Sequence, residues 1–450
     1  MQVAPLIVVG ITLLLMILSI VFDWKVKIKK VSFALYWVFC LVGAIICLIF
    51  RFAGDNPFQD IFFAKGNINP LKILGIFLSC TSISVLLDKI GFFSYIAAVI
   101  LKKSKSSQKK LFFSFSAIIA VLTIFTSNDI LILTFTPFIC YFAKNAKIDP
   151  TPYILSEFVC ANVWSMFFFI DNPTNIYMCT TYNITFIQYA IKMALPTALC
   201  GILACFIVYL IFRKKLNEKI NIEEVEIVKP NKVLLTIGLT GLTVMVVLMA
   251  VSNYIPGVEL WYIPIVCSVA TYIATLIYMI IKRDGFKILL NSLKSLPYAL
   301  IPFLLSMSVF VVALNNAGLI PKFAEFLADK HMFITGYVSF IMGNLLNNIP
   351  MTMMFTTTLG EMYMDMGIAN PFTDPINVDQ LRYLYAVIAS SNICALLTPI
   401  GSLAGIMFMK ILRENDVKYT FKQFIGYGSI VSIPTISLAL LIIMLIPFPG

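Results

Sequence analysis

The sequence has few charged residues and a single histidine. Charged side chains make up 12% of its 450 residues, well below the roughly 25% of a typical soluble domain. This composition excludes an ordinary soluble protein. The lone histidine, His331, also leaves no Ser/His/Asp constellation for nucleophilic catalysis, and we expect it to lie at the surface.

Motifs for nucleotide hydrolysis and metal binding are missing as well. The chain contains no G-x-x-x-x-G-K-[ST] stretch and no set of kinase motifs. Its ten cysteines all lie in apolar segments, and no two have C-x-x-C spacing, so we expect them to be small core residues. The sequence thus predicts no enzyme and neither a cofactor nor a bound metal.

Long apolar segments dominate what is present. Hydrophobic residues make up 60% of the chain, and the mean hydropathy is +0.94. Runs of roughly 20 apolar residues, enough to cross ~30 Å of hydrocarbon, recur from residue 4 to residue 447. The first run, Ala4 to Phe22, has no basic region before it and no small-residue cleavage site after it, so we interpret it as a retained span. The sequence predicts a multi-pass protein of the cell membrane without a soluble domain.

Basic residues orient the predicted spans. Most of the 33 Lys and Arg residues lie in six short segments, which we assign to the cytoplasm by the positive-inside rule; they indicate no nucleic-acid partner. The predicted fold class is an all-α polytopic membrane protein of two five-span repeats, residues 1–212 and 233–450, joined by a cytoplasmic linker at 213–232. Because each repeat has an odd number of spans, the second is inverted. The spans are 4–22, 31–50, 70–88, 152–182, 194–212, 233–252, 261–281, 295–315, 381–409 and 425–447.

Two further apolar segments, 111–143 and 332–363, fit poorly as single spans. Lysines flank the first at both ends, which places both ends on the cytoplasmic side, and a re-entrant hairpin satisfies this. Its tip is "TSND" at 126–129. The second hairpin is predicted to enter from outside, with its tip at "NNIP", 347–350. The alternative is two full spans joined by a polar turn in each case.

Each hairpin is preceded by an amphipathic segment and followed by a span with a break. The amphipathic segments, 88–103 and 315–330, are predicted to lie along the membrane interface. The breaks are "IDNPTN" in span 152–182 and "LTPIGS" in span 381–409, and their prolines, Pro173 and Pro399, are expected to occupy corresponding places. Paired interrupted helices indicate a transporter site formed by inverted repeats.

A broken helix at membrane depth leaves backbone groups unsatisfied, so it must line a protein-enclosed or watered cavity. Two tips and two breaks would bring four helix N-termini toward one point, where their partial positive charges favour anionic or oxygen-rich ligands. Side-chain amides and hydroxyls there would replace the hydration of a small oxygenated solute: Thr126, Ser127, Asn128, Thr174, Asn175, Asn347, Asn348, Thr398 and Ser402. The alternative is that some of them only cap helices or bond helices together.

Four stretches resemble the ArsB-type arsenite/antimonite permeases, within the wider ion transporter superfamily. They are "NDILILTFTP" at 128–137, "IDNPTNIYM" at 170–178, "NNIPMTMMF" at 347–355 and "LLTPIGSLAGIMF" at 396–408, and the likeness spans nearly the whole chain. The resemblance implies a scaffold, a mobile transport domain, homodimers, and a site between hairpin tips and broken helices. The superfamily also includes sodium-coupled carboxylate and sulfate carriers and sodium/proton antiporters.

The resemblance carries over to individual positions. Asn128 and Asp129 match the first hairpin, and Asp171 departs from the family, where a small polar residue is usual, which suggests a coupling cation. The predicted substrate-binding residues are Ser127, Asn128, Asn172, Thr174, Asn175, Asn347, Asn348, Thr398, Gly401 and Ser402.

Three carboxylates lie inside the spans of the first half near these motifs. An intramembrane carboxylate is a functional candidate by default. We predict that Asp129 and Asp171 bind the coupling ion, a proton in preference to sodium. Glu157 lies near the cytoplasmic end of its span, where it is expected to pair with Lys147 or face water, with a transport role as the alternative.

These residues predict a secondary transporter that expels arsenite or antimonite in exchange for protons. Neutral metalloid hydroxides suit amides and hydroxyls with no Arg or Lys in the motifs. The alternatives are a sodium-coupled symporter of a carboxylate or other anion, and a sodium/proton antiporter, on the same scaffold. An ion gradient would drive transport unless a separate ATPase subunit docks on the cytoplasmic face. A membrane enzyme or a structural protein is the remaining, unfavoured class.

Overall fold

Helices form nearly all of the molecule, which we describe from a computed structural model. It describes residues 2–28, 31–57, 59, 61, 69–104, 107–218, 228–255, 257–283, 285–368, 370–372, 374 and 378–447. The helices of the first half are α1 (Val3–Val21), α2 (Tyr36–Ile49), α3 (Pro70–Ile90), α4 (Phe92–Ser104), α5 (Gln108–Phe125), α6 (Asn128–Asn145), α7 (Thr151–Trp164), α8 (Pro173–Thr181) and α9 (Phe186–Leu216). Those of the second half are α10 (Lys232–Val251), α11 (Tyr262–Lys282), α12 (Lys287–Lys294), α13 (Leu300–Asn316), α14 (Leu319–Ala328), α15 (Met332–Leu346), α16 (Asn348–Asp365), α17 (Val378–Ile393), α18 (Leu403–Glu414) and α19 (Phe421–Leu445).

The membrane character of the chain follows from these helices. In the part of the chain described, seven helices are long and apolar enough to cross a membrane, and an eighth span is possible if the bent pair α13 and α14 counts as one. The seven are α1, α3, α5, α9, α10, α11 and α19. The fold is therefore an all-helical polytopic membrane protein. Predicted span 31–50 contains a helix of only 14 residues, α2, and predicted span 194–212 lies within the 31-residue α9.

A two-stranded antiparallel ribbon is the exception to the all-helical expectation. Strands β1 (Lys25–Ile28) and β2 (Val31–Ala34) pair directly after α1. The sequence of β1, KVKI, alternates lysine with β-branched residues, and β2, VSFA, begins with valine; β-branched residues favour extended backbone. The ribbon takes up the first residues of the predicted span 31–50, which is why α2 begins only at Tyr36.

The two predicted amphipathic segments form separate helices, α4 and α14. Each follows a glycine with positive φ, Gly91 at +91° and Gly318 at +79°, a conformation that glycine adopts without steric cost. The turn at Gly318 bends the chain by 76° between α13 and α14. The first segment was predicted too long, because residues 88–90 still belong to α3.

The element order of the first half recurs in the second half. In each half a glycine-terminated helix and a short helix precede two helices that meet at a polar tip, then a broken helix, then one long helix. The halves also interlock: α2 packs against α13, α3 packs against α11, and α9 packs against α19. Large apolar side chains of α9 are exposed, among them Ile191 and Ile202, which suits a lipid-facing surface. Of the predicted linker, residues 219–227 lie outside the described residues.

Candidate functional site

The first broken helix opens between α7 and α8. Helix α7 ends at Trp164, a 3₁₀ turn follows at Phe169–Asp171, and α8 begins at Pro173. The side chain of Asn172 caps α8, because its Oδ1 accepts the backbone N–H of Thr174 at 3.1 Å. Proline suits the first position of a helix, where its missing N–H costs nothing. Pro173 therefore starts α8, and the interruption comes before it.

The second broken helix has the same parts between α17 and α18. A 3₁₀ turn at Pro399–Gly401 precedes α18, and Ser402 caps that helix by accepting the N–H of Gly405 at 3.0 Å. Ser402 is thus the counterpart of Asn172, and Pro399 begins the turn whereas Pro173 begins the helix. The expectation that the two prolines occupy corresponding places was wrong. When the N-caps Asn172 and Ser402 are aligned, Pro399 lies four residues before the position that matches Pro173.

One asparagine of the second half holds the first break together. Asn392, near the end of α17, donates from Nδ2 to Asn175 Oδ1 at 2.7 Å. Its Oδ1 accepts from Asn172 Nδ2 at 3.0 Å and from Ser165 Oγ at 2.8 Å. All four side chains are almost fully buried. The two broken helices therefore share one cluster of amides and hydroxyls.

The neighbouring Ser391 extends this cluster to the second hairpin tip. Its hydroxyl lies 3.1 Å from the hydroxyl of Thr174, and its backbone carbonyl accepts from Asn348 Nδ2 at 3.2 Å. Four of the predicted positions, Asn172, Thr174, Asn175 and Asn348, thus meet through α17. We refer to Ser165, Asn172, Thr174, Asn175, Asn348, Ser391 and Asn392 as the amide cluster.

Asn347 connects the second tip to the second break. It is the only residue between α15 and α16, and its φ of +81° lies in a region that strongly favours glycine. Two side-chain bonds hold it there: Nδ2 donates to the carbonyl of Ile400 at 2.9 Å, and Oδ1 accepts the N–H of Ile349 at 3.3 Å. The hydroxyl of Thr398 donates to Asn344 Oδ1 on α15 at 2.8 Å. The tip and the break are therefore tied at two points.

Gly401 lies where no side chain fits. A Cβ on this residue would be 2.6 Å from the carbonyl oxygen of Cys394 and 3.0 Å from Asn344 Oδ1. Both distances are shorter than ordinary contacts, so the second break closes only around a glycine at this position.

The first hairpin tip lies in a separate cavity of about 220 Å³. Ser127 and Asp129 line it, together with Thr81 of α3 and Leu403, the first residue of α18. The Ser127 side chain occupies the N-cap of α6, yet its hydroxyl makes no hydrogen bond. The N-termini of α8, α16 and α18, by contrast, are capped by Asn172, Asn347 and Ser402. The N-cap residue of α6, Ser127, thus differs from the other three because its side chain accepts no backbone N–H.

The remaining predicted residues have distinct surroundings. Asn128 is buried and accepts the N–H of Asp129 at 2.9 Å, and the Thr126 hydroxyl donates to the carbonyl of Leu122 within α5. Asp171 is 1% exposed, and neither of its carboxylate oxygens has a hydrogen-bond partner. Its 3₁₀ turn packs against α3 and α9.

Three residues of the amide cluster were absent from the sequence prediction: Ser165, Ser391 and Asn392. The signal for Asn392 was present, since "SSN" at 390–392 is a polar stretch that follows the apolar run "LYAVIA" at 384–389, just before the break. Asn392 has a counterpart in the first half, Asn162. Asn162 donates to the carbonyl of Phe158 in α7, as Asn392 donates to the carbonyl of Ile388 in α17.

The sequence matches known transporters over most of its length. Residues 7–446 match the ArsB family, described as arsenical pump membrane protein. An arsenical pump membrane protein of Escherichia coli is 24% identical over 382 residues, which cover 81% of this chain and 84% of that protein. A putative arsenical pump membrane protein of Bacillus subtilis (strain 168) is 25% identical over 377 residues, which cover 77% of this chain and 81% of that protein.

A solved structure shares the fold. The crystal structure of the Alcanivorax borkumensis YdaH transporter superposes with a TM-score of 0.58 at 12% identity, and the match covers 98% of this chain and 97% of that one. The ArsB family and this structure are transporters, so the prediction that the chain is not an enzyme is confirmed. Because the family match covers nearly the whole chain, this protein belongs to the ArsB family of arsenical pump membrane proteins, within the ion transporter superfamily, and is a multi-pass transporter of the cell membrane.

Proposed function

We propose that this protein expels arsenite or antimonite from the cell in exchange for protons. The observation that carries the proposal is the bridge from Asn392 to Asn172 and Asn175, which joins two interrupted helices of different halves through uncharged polar groups. The names of the relatives from Escherichia coli and Bacillus subtilis support the substrate class.

The chemistry of the amide cluster suits a neutral metalloid hydroxide. Such a solute carries hydroxyl groups that donate and accept hydrogen bonds, as the side chains of Asn172, Asn175 and Asn392 do. Exchanging a bond between two side chains for a bond to the solute conserves the number of hydrogen bonds, so binding leaves few buried groups unsatisfied. The amide cluster contains no cation that would select a carboxylate.

The cavity beside the first hairpin tip is the proposed entry from the cytoplasm. Its mouth carries Lys25 and Lys410, but Lys25 pairs with Asp23, and Lys410 lies 3.5 Å from Glu414. Paired lysines at a mouth attract anions weakly. The unbonded hydroxyl of Ser127 and the carboxylate of Asp129 are then the polar groups that an entering solute meets.

We assign coupling to Asp129 and Asp171, with a proton as the coupling ion. Asp171 is the stronger case structurally, because a buried carboxylate without a hydrogen-bond partner is costly unless it binds a proton or a cation. Among the described residues no group of three or more His, Cys, Asp or Glu side chains is placed to hold a metal ion.

The proposed architecture is two inverted repeats, residues 1–212 and 233–450, with re-entrant hairpins at 111–143 and 332–363. The recurring element order supports it, as does the break of each hairpin within its predicted tip. Pairing as a homodimer, and docking of an ATPase subunit on the cytoplasmic face, rest on the family resemblance alone and stay predictions.

Transport into vesicles tests the proposal. Purified protein reconstituted into liposomes is given arsenite, antimonite or a dicarboxylate, under an imposed proton or sodium gradient. We expect arsenite and antimonite to accumulate only when protons run in the opposite direction. Sodium-driven uptake of a dicarboxylate with no arsenite flux would overturn the proposal in favour of a symporter. Empty liposomes and the Asn392→Ala variant are the controls.

A further inference from the structure

Glu157 on α7 is a buried carboxyl group with one hydrogen-bond partner among the described residues. The residue is 0% exposed. Its Oε2 accepts a hydrogen bond from the hydroxyl of Thr136, on α6, at 2.8 Å, whereas Oε1 has no hydrogen-bond partner. Glu157 has no ion pair with Lys147 or any other described residue. The expectation that it pairs with Lys147 or faces water was wrong.

The corresponding place in the second half holds an apolar residue instead of a carboxyl group. Glu157 lies five residues before Asn162 in α7, and the position five residues before Asn392 in α17 is Val387, which is also fully buried. The helix–helix contact between a hairpin limb and the broken helix exists in both halves, as α6 with α7 and as α16 with α17. An apolar residue therefore fills the same place without loss of the packing.

The partner threonine differs between the halves in the same way. Thr136 is eight residues after Asn128, the first residue of α6, and Thr356 is eight residues after Asn348, the first residue of α16. Thr356 donates to the carbonyl of Thr352 in its own helix at 2.7 Å, which is usual for a helical threonine. Thr136 donates to Glu157 instead. The hydroxyl of the first half is thus diverted from its helix to the carboxyl group.

Among the residues that the structure describes, no Lys or Arg side chain forms an ion pair with Glu157. The titratable side chains that face it are thiols, Cys140 on α6 and Cys160 on α7. Helix α5 contacts α7 through the hydroxyls of Ser116 and Ser156, 2.6 Å apart. The basic Lys110 of α5 lies six residues before Ser116, or about 9 Å along the helix axis.

The other helices around α7 add aromatic rings and distant cations. The ring of Phe158, next to Glu157, packs against Phe408 of α18 at 4.7 Å and Phe424 of α19 at 5.4 Å. The basic residues of α9, Arg213 to Lys215, lie in its last turn. Arg213 comes eight residues after Cys205 in this helix, which is about 12 Å along the helix axis. A charged carboxylate here would be almost unscreened, which is costly in a membrane interior.

We propose that Glu157 is a proton-binding site that exchanges a proton at Oε1 during the transport cycle, while Thr136 holds Oε2. Protonation forms the Oε1–H bond at the expense of a hydronium or water O–H bond and leaves the group neutral, so α6 and α7 pack closely. Release of the proton returns it to water and leaves a carboxylate with a single donor, which favours separation of the two helices or entry of water. The role in coupling, but not the proton site itself, rests on the transport function proposed above.

The position of Thr136 connects this site to the first hairpin tip. Thr136 is seven residues after Asp129 in the same helix, or two turns of α6. Thr136, Asp129 and Ser127 move together because α6 is one rigid helix. A shift of α6 against α7 therefore also moves Asp129 and Ser127 in the cavity. Binding or release of a proton at Glu157 therefore changes the exposure of the first hairpin tip.

Infrared spectroscopy of the purified protein tests the proton site without substrate. A protonated carboxyl group has a carbonyl band apart from that of carboxylates. We expect wild-type protein to show such a band, which disappears on titration to high pH, and Glu157→Gln to lack that component. The matched control Glu325→Gln, at an exposed position of α14, should retain it. A spectrum of Glu157→Gln identical to that of wild type would overturn the site.

A second variant covers the case in which Glu157→Gln fails to fold. Thr136→Val removes the donor to Oε2 and keeps the shape of the side chain, so the carboxyl band should shift in frequency; an unshifted band would also overturn the site. In vesicles, Glu157→Gln should still exchange substrate across the membrane but lose acceleration by a proton gradient. Full acceleration would refute the coupling role, whereas absence of any flux in the wild type would refute the transport function and leave the infrared result standing.

Discussion

The Nδ2 atom of Asn392 lies 2.7 Å from Oδ1 of Asn175, although the two residues are 217 positions apart in the chain. This single contact joins α17, before the second break, to α8, after the first break. It also places residues of both halves in one amide cluster, since Asn392 accepts a further bond from Asn172. Loss of one amide should therefore affect both broken helices at once.

Asn392→Ala should strongly reduce transport and lower stability. The substitution leaves the buried side chains of Ser165, Asn172 and Asn175 each short of a partner, at a cost of about 1–3 kcal/mol for a buried unsatisfied group. Thermal unfolding in detergent and arsenite flux in vesicles measure the two effects. The control is Asn162→Ala, since Asn162 makes only a bond within α7. Equal loss of flux in both variants would remove Asn392 from the binding site.

Asp129→Asn and Asp171→Asn should abolish gradient-driven transport while leaving the protein folded. Asparagine has nearly the same shape as aspartate but binds no proton in this range, so coupling is lost and packing is kept. Flux measured at several pH values with a fixed substrate gradient separates the two properties. Wild-type pH dependence in both variants would exclude the two residues from coupling.

Gly401→Ala should impair transport through the second break. The added methyl group would meet the carbonyl oxygen of Cys394 at 2.6 Å, and overpacking of this kind costs about 1–3 kcal/mol. Gly426→Ala is the matched control, because a Cβ at that position meets nothing within 4 Å. We expect a lower melting temperature and reduced flux for the first variant only. Unchanged flux in Gly401→Ala would show that the break tolerates a wider turn.

Cysteine labelling tests the inverted orientation of the two halves. Lys25 follows the first helix of its half, and Glu259 follows the first helix of the other, so inversion places them on opposite sides of the membrane. A membrane-impermeant thiol reagent should label Lys25→Cys only from the cytoplasm and Glu259→Cys only from outside. All native cysteines except the half-buried Cys205 are buried, which keeps the background low. Labelling of both variants from one side would contradict inversion.

The ion pair of Asp149 with Lys215 should make stability depend on pH at the cytoplasmic end. Burial alone raises the pKa of Asp149, but hydrogen bonds from Lys215 and Thr151 outweigh it and hold the pKa below its ordinary value. The stabilisation is therefore full above that ordinary value, about 3.9, and is lost as the pH falls through the lower folded-state pKa. Because both side chains are partly exposed, Lys215→Gln should cost only about 0.5 kcal/mol at pH 7. A thermal-shift difference between Lys215→Gln and wild type that does not shrink as the pH falls below about 3.9 would count against this pair.

Local patterns were sufficient for the class of the protein and for the positions of its interruptions. The lengths of apolar runs predicted a multi-pass membrane protein, which the fold and the family match confirm. Helix-breaking and capping residues put the predicted tips and breaks where helices end: α6 begins at Asn128, α8 at Pro173 and α18 at Leu403. These features depend on residues close together in sequence. The β-ribbon after α1 was missed because four-residue strands are too short to show periodicity.

What the sequence determined by itself is therefore membrane insertion and the places where helices stop, because hydrophobic length, capping and proline act over one or two helical turns. Only the tertiary structure decided which polar groups meet. The bridge of Asn392 to Asn172 and Asn175, the mismatch between Pro173 and Pro399, and the pairing of Glu157 with Thr136 all depend on how separate helices pack. A buried amide or carboxyl group takes its partners from whichever helix lies beside it, and that neighbour is set by the packing of the whole chain.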